Sequence, residues 1–290
     1  MSAASDDGQS ITLQFALSRS PMAVVKVLSP AKVNLMLRIL AQRSDGYHVL
    51  QSCFEVLPWG DEMTFFTEKS QQPSVTICGF KTLALTDNII YRAAELLKPF
   101  IQAPCVVHIK VNKKIPSGAG LGGGSSNAAA TLKTLNTLWK CRLDATSLSA
   151  LALKLGADVP FFMTGQSALV TGIGEHIRPM RFFSGYILLL FPPLAIATET
   201  VFNHPGLKRN QTPLPERLLR DSNFWINDCL PVVLSEFKEI KKLFDCCYPA
   251  LRLRLSGTGS TLFALFDDKQ TALKQQKMVS QYCRNRLLEI

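Results

Sequence analysis

Five of the seven residues from Gly118 to Gly124 are glycine, within the segment Pro116-Ser117-Gly118-Ala119-Gly120-Leu121-Gly122-Gly123-Gly124-Ser125-Ser126. Before this run, Cys105–Val111 is rich in β-branched residues and reads as a strand. After it, Leu132, Leu135, Leu138 and Trp139 recur at three- and four-residue spacing, which predicts a helix from about Ser126 to Lys140. A backbone nearly stripped of Cβ atoms can approach a ligand closely and aim successive N–H groups at it. The helix that follows adds free N–H groups and the positive end of its dipole. Together these predict an anion site suited to a polyphosphate. Ser125 and Ser126 are placed to cap the helix, bond a phosphate or help hold Mg2+. A flexible linker is the plainer explanation of a glycine run, but a linker would not join a strong strand to a strong helix so tightly.

Two familiar phosphate loops do not fit. Walker A requires a lysine before its Ser/Thr, and none precedes Ser125. Gly118-x-Gly120-x-x-Gly123 satisfies the dinucleotide pattern. That pattern, however, opens the first strand–helix–strand unit and is followed by an acid about 20 residues on. The nearest acid at that distance is Asp144, in a segment that reads as a helix–helix connection.

Around the loop the pattern is intermixed α+β. Val24–Leu28 and Lys32–Ile39 read as strands. Strand periodicity puts Val33, Leu35, Leu37 and Ile39 on one face, and Lys32, Asn34, Met36 and Arg38 on the other. A turn is predicted at Ser44-Asp45-Gly46, and strands at Cys53–Leu57, Glu62–Thr67 and Ser74–Cys78. Asp87 is the expected N-cap of a helix through Lys98, ended by Pro99. Further helices are expected near Leu148–Leu155 and from Asp158-Val159-Pro160. Beyond Gln166 the chain offers strands at Ser167–Thr171, Tyr186–Leu190 and Leu262–Phe266, and helices over Pro231–Phe244 and Lys269–Leu288. The change in texture sets a domain boundary near residue 165, dividing residues 22–165 from 166–290. Residues 1–21 carry few structural signals and read as an extension, with Met22 as an alternative start.

Composition excludes more than it assigns. The chain has 32 Lys+Arg against 22 Asp+Glu, a net charge of +10, but the positive residues are scattered and form no stripe for nucleic acid. Eight cysteines without a Cys-x-x-Cys pair argue against a zinc site, and read as reduced thiols of a cytoplasmic protein. The longest apolar stretch, Tyr186–Ala197, is too short to span a bilayer and contains Pro192-Pro193.

Further motifs accompany the loop: Ser29-Pro30-Ala31-Lys32-Val33-Asn34-Leu35, Asp45-Gly46-Tyr47-His48, Leu155-Gly156-Ala157-Asp158-Val159-Pro160 and Leu255-Ser256-Gly257-Thr258-Gly259-Ser260. With the loop they stand in the order seen in the GHMP kinases, and the chain resembles that superfamily over roughly residues 24–266. The resemblance implies an N-terminal domain like the second domain of ribosomal protein S5, a ferredoxin-like C-terminal domain, and an active site in the cleft between them. It implies ATP and Mg2+ as cofactors, and transfer of a γ-phosphoryl group to an alcohol. The Pro-Ala-Lys-x-Asn-Leu, Asp-Gly-Tyr-His and Gly-Ala-Asp-Val-Pro motifs resemble the branch whose small-molecule acceptor carries a cytidine diphosphate, in isoprenoid precursor synthesis.

Carried over residue by residue, the resemblance makes Lys32 and Asp158 the catalytic pair. Asp158 would accept or orient the proton of the attacking hydroxyl, and Lys32 would offset charge on the phosphoryl oxygens. Taken alone, Asp158 is a helix cap and Lys32 an exposed strand lysine. Asn34 would bond the substrate. Tyr47 would pack on the cytidine end, His48 would hydrogen-bond the base, and Phe202 would stack on it. Asn88 falls near the adenosine, residues 116–126 hold ATP, and Ser256–Ser260 backs the phosphate loop. Ala119 interrupts what would otherwise be a more uniform glycine run. No carboxylate stands out as a Mg2+ ligand. No nucleic-acid or membrane partner is expected, and the chain reads as a monomer or weak homodimer. Two alternatives remain: a GHMP kinase with a non-nucleotide acceptor, which leaves Tyr47, His48 and Phe202 idle, and an RNA-binding protein, which leaves the glycine loop unexplained.

Overall fold

The computed structural model describes residues 22–80, 84–248 and 250–290; the extension read over residues 1–21 lies outside them. In chain order the elements are β1 (Ala23–Gln42), β2 (His48–Lys69), β3 (Ser74–Cys78), α1 (Ile89–Leu97), β4 (Cys105–Asn112), α2 (Gly123–Leu138), α3 (Ala145–Leu155), α4 (Val159–Thr164), β5 (Ala168–Gly172) and β6 (His176–Pro179). They continue with β7 (Tyr186–Phe191), α5 (Thr198–Phe202), α6 (Leu230–Glu236), α7 (Lys238–Cys247), β8 (Arg254–Leu255), β9 (Leu262–Phe266), α8 (Lys269–Val279) and β10 (Arg284–Glu289). One sheet runs β3-β4-β2-β5-β6, with β1 also paired to β2; the other runs β10-β7-β9-β8. β5 pairs with β2 from Phe54↔Ala168 to Leu50↔Gly172, so the first sheet reaches past the boundary read near residue 165, as far as Pro179.

The strands expected separately in residues 24–39 and 53–67 join into one long hairpin around the Asp45-Gly46 turn. Asp45 Oδ1 accepts from the Tyr47 N–H at 3.1 Å and Gly46 takes φ +87°, so the turn closes as its residue types require. The ladder is not broken at Pro30, because the pairing shifts register between Pro30 and Lys32. Gly60 stands opposite, where a Cβ would lie 1.9 Å from the Ser29 carbonyl oxygen.

A second register shift, between Asn34 and Met36, changes which side chains face the ligand cavity. Leu35 and Met36 both enter the same core, and Leu37 lines the cavity with Lys32 and Asn34. Strict alternation had placed Met36 with Lys32 and Leu37 on the opposite face. A bulge of one residue inverts that order beyond it.

Three apolar cores hold the chain. The first lies between the large sheet and α1–α4, around Trp139, Phe65, Ile109 and Phe161. The second lies between the small sheet and the C-terminal helices. The third joins the two halves, and β7 shows how. Leu188 and Leu190 point into the second core; Ile187, Leu189 and Phe191 point into the third, against Val33, Leu35 and Trp59 of the hairpin. A strand buried on both faces must be apolar at consecutive positions, which is why this segment reads Tyr-Ile-Leu-Leu-Leu-Phe.

Three helix readings change. Asn88, not Asp87, caps α1, its Oδ1 accepting from the Ile90 N–H at 3.0 Å. The helix expected over Pro231–Phe244 is two, broken at Phe237, which is extended (φ −114°, ψ 90°) and serves as C-cap of α6 and N-cap of α7. The helix expected to Leu288 stops at Val279, and Arg284–Glu289 pairs antiparallel with β7. Pairing with a buried strand overrides the weak helical preference there.

Glu55 on β2 is buried. Ser167 Oγ donates to its Oε1, while Oε2 has no hydrogen-bond partner among the described residues. Burial pushes its carboxyl up to about 7, against the pull of Ser167 and Arg181. A folded-state value above the unfolded one means the contribution is intact below about pH 4.5 and lost as pH rises through about 7. Glu55→Gln should therefore gain stability relative to the parent between pH 5 and pH 8, by on the order of 2 kcal/mol. Thermal melts at both pH values measure this, and an unchanged difference would refute the assignment.

Candidate active site

The glycine run forms a cradle whose two faces do different jobs. Gly118, Gly120 and Gly122 take φ of +63°, +71° and +69°, whereas Ala119 and Leu121 between them do not have positive φ. This alternation is the backbone geometry of an anion nest. It also explains Ala119: its Cβ falls where the chain has ordinary geometry, so the interruption costs nothing. The loop's carbonyls are tied down from behind. The Gly118 carbonyl accepts from the Ile196 N–H at 3.0 Å, that of Ala119 from the Thr261 N–H at 3.2 Å, and that of Gly120 from Ser256 Oγ at 2.9 Å. In α2 the first helical bond runs from the Ser126 N–H to the Gly122 carbonyl, leaving the N–H groups of Gly123, Gly124 and Ser125 without a partner among the described residues. These face an anion site at the helix N-terminus.

Residues Pro116–Ser125 line a cavity of about 1150 Å3. Ser126 does not line it. Its N–H is the first helical donor, its hydroxyl accepts from Ser29 Oγ at 2.8 Å, and the side chain is buried away from the cavity, so the phosphate-binding role read for Ser126 finds no support there.

Against the cradle, Lys32 Nζ lies 3.5 Å from Asp158 Oδ2 and 2.5 Å from Asn34 Oδ1, with its charge over the Phe54 ring at 4.5 Å. The Lys32 side chain is almost fully buried and that of Asp158 is about one-third exposed. Asp158 stands at the N-cap position of α4, yet its carboxylate makes no cap hydrogen bond. The carboxylate faces the cavity and the ammonium instead. Asn34 is itself held: its Nδ2 donates to Ser52 Oγ at 2.9 Å and its N–H to Ser256 Oγ at 3.3 Å. The Lys32 N–H bonds the Leu121 carbonyl at 3.0 Å, fixing the strand against the loop.

Part of the wall of the same cavity is aromatic. Tyr47 is exposed; His48 is buried and stacks on Phe202 with ring centroids 5.0 Å apart and planes 23° from parallel. Asn88 also lines the cavity. All the expected site residues except Ser126 thus border one space.

Three supporting residues carried no motif and were missed. Asp61, fully buried, accepts from the backbone N–H groups of Lys114 (2.7 Å) and Ile115 (2.9 Å) just before the loop, and from Asn127 Nδ2 (3.0 Å) just after it; Lys113 Nζ also bonds it. One carboxylate therefore fixes both ends of the cradle. Asn227 donates to the carbonyls of Leu255 and Gly257, both at 2.8 Å, and so sets the second glycine turn. Arg209 donates to His48. The signal for such groups lies in long-range geometry, since 66 residues separate Asp61 from Asn127.

Two α+β halves with a glycine cradle at their junction define a small-molecule kinase of the GHMP class. Residues 88–166 match the family described as GHMP kinases N terminal domain, and residues 204–285 match GHMP kinases C terminal. The 4-diphosphocytidyl-2-C-methyl-D-erythritol kinase of Polynucleobacter asymbioticus is 41% identical over 269 residues, 91% of each chain. That of Burkholderia mallei is 39% identical over 254 residues, 84% of this chain and 86% of its own. A crystal structure of 4-(cytidine 5'-diphospho)-2C-methyl-D-erythritol kinase superposes with a TM-score of 0.77 at 31% identity, covering 91% of this chain and 98% of that one. The chain belongs to the 4-diphosphocytidyl-2-C-methyl-D-erythritol kinase family of GHMP kinases, and is an ATP-using phosphotransferase. Among the described residues no helix is long and apolar enough to cross a membrane.

The cradle separates packing from binding at two glycines. At Gly120 a Cβ would sit 2.1 Å from the Ser256 carbonyl oxygen, and φ is positive. Gly124 has nothing within 4 Å of a Cβ and lies in the first turn of α2. Gly120→Ala should lose at least about 2 kcal/mol of stability. Gly124→Ala should keep or gain up to about 1 kcal/mol while weakening ATP binding. Denaturant unfolding and ATP titration calorimetry measure both; unchanged ATP affinity in Gly124→Ala would show that the phosphates do not approach the Cα of Gly124.

Proposed function

We propose that the chain transfers the γ-phosphoryl group of ATP to the 2-hydroxyl of 4-diphosphocytidyl-2-C-methyl-D-erythritol, in the methylerythritol phosphate route to isoprenoid precursors. The observation that carries this reading is the position of the Lys32–Asp158 pair, in one cavity with the glycine cradle and the His48–Phe202 stack. A phosphoryl donor held by the cradle and a base-bearing acceptor held by the stack would share that one space with the pair.

The chain's own residues supply positioning and charge, which is most of what phosphoryl transfer asks of a protein. The N–H groups of the cradle and α2 hold the triphosphate, with Asn88 near the adenosine. Asp158 takes or orients the proton of the acceptor hydroxyl. Lys32, fixed by Asn34 and pressed on Phe54, offsets charge on the transferred phosphoryl oxygens. Asn34 also borders the acceptor, and Tyr47, His48 and Phe202 hold its cytidine end.

Among the described residues no group of three or more His, Cys, Asp or Glu side chains is arranged to hold a metal. Mg2+ that arrives with ATP would keep mostly phosphate oxygens and water as ligands, and the Ser125 hydroxyl, which lines the cavity in the first turn of α2, is the protein group placed to join them. When bound, the ion neutralises phosphate charge.

A coupled assay over an acceptor panel tests the reading. Turnover is expected with the cytidine-bearing diphosphate and not with homoserine or mevalonate; comparable turnover with a non-nucleotide alcohol would overturn it. Asp158→Asn should lower kcat by about 10²–10⁴-fold while ATP affinity stays near the parent value. A near-normal kcat would remove the proton role.

A further inference from the structure

We infer that Arg209 is a positioning residue for base recognition, holding His48 as the tautomer protonated on Nδ1 and tying that ring to the backbone that carries Phe202. The part that concerns the base rests on the acceptor proposed above. The part that concerns the ring does not.

Arg209 Nε lies 3.0 Å from His48 Nε2. A guanidinium nitrogen only donates, so Nε2 must accept, and a neutral imidazole then carries its proton on Nδ1. A doubly protonated ring would set N–H against N–H. Burial and the charge of Arg209 both act against it, holding His48 below the usual histidine range. Nδ1 makes no bond to protein among the described residues, and His48 lines the cavity, so this N–H is the donor left for a ligand.

The rest of the guanidinium is spent on backbone. Nη2 donates to the carbonyls of Phe202 (2.7 Å) and His204 (3.0 Å), and Nη1 to that of Leu207 (3.0 Å). One side chain therefore fixes the proton, the orientation and the stacking partner of His48. Arg209 does not itself line the cavity. It acts through His48.

The consequence is a choice between bases. A fixed donor at Nδ1 selects an acceptor on the base edge. O2 accepts in both cytosine and uracil, so the choice is made at N3, which accepts in cytosine and carries a proton in uracil. The other tautomer would offer an acceptor at Nδ1 and lose that preference. Lysine at 209 keeps a cation able to donate to Nε2 but lacks the planar fork for the carbonyls.

Nitrogen-resolved NMR of the His48 ring reads the tautomer directly, in the free enzyme and in Arg209→Met and Arg209→Lys. The parent and Arg209→Lys should show Nδ1 protonated, and Arg209→Met a shift toward protonation on Nε2. In kinetics, Arg209→Met should raise KM for the cytidine diphosphate-linked acceptor about tenfold. It should narrow the preference over the uridine analogue, and leave kcat and KM for ATP within about twofold. In a His48→Ala background the same change should add less than about twofold. An unchanged ring pattern in Arg209→Met, or an equal KM rise in the His48→Ala background, would overturn the inference and leave Arg209 as a backbone latch. If the tautomer shifts but the parent itself shows no preference for the cytidine acceptor, the acceptor reading fails and the Arg209–His48 coupling stands.

Discussion

The carbonyls of Gly118, Ala119 and Gly120 are each bonded from the C-terminal half, by the Ile196 N–H, the Thr261 N–H and Ser256 Oγ. A peptide unit with its carbonyl fixed on one side presents its N–H on the other. Binding the loop from behind is therefore what turns a flexible glycine run into a directed set of donors. Glycine is required because the alternating left-handed residues, and the 2.1 Å approach of Ser256 to a Cβ position at Gly120, admit nothing larger. The rest of the structure serves this arrangement. Asp61 fixes the two ends of the loop to the large sheet, Asn227 sets the turn that supplies Ser256, and Asn34 connects that same serine to Lys32.

Electrostatics in the site follow from this packing. The cradle collects partial positive charge without a cationic side chain of its own. Lys32 supplies a buried ammonium that lines the cavity, held by an amide, a carboxylate and an aromatic face. Because Asn34 engages Lys32, the lysine side chain is pre-set before any ligand arrives, and little ordering is left for the moment of reaction. Asp158 stays partly exposed at the start of α4, where a proton could pass to water.

Local features of the fold were legible in the sequence because they depend on near neighbours. The glycine loop, its flanking strand and helix, and the Asp45-Gly46 turn all follow from residue type and short-range period. What was illegible depends on contacts distant in the chain. The bulge that sends Met36 into the core and Leu37 to the cavity leaves no mark in the apolar pattern. Arg284–Glu289 becomes a strand because β7 offers it a buried partner. Ser126 looked like its neighbour Ser125, but helical phase turns it inward toward Ser29. Asp61, Asn227 and Arg209 stand in no motif, because each acts by bonding residues that the sequence places far away or that carry the motif themselves.

The dependence of the cradle on three donors from residues 196–261 bears on how such enzymes diverge. The half that carries Phe202 and Arg209 also bonds the glycine loop from behind. A chimera that took a new C-terminal half to change acceptor would import a new backing for the loop as well, and would have to match it at Ile196, Ser256 and Thr261. The backing of the glycine loop and the His48–Phe202 stack therefore change together when that half is exchanged, and separately only by point substitution.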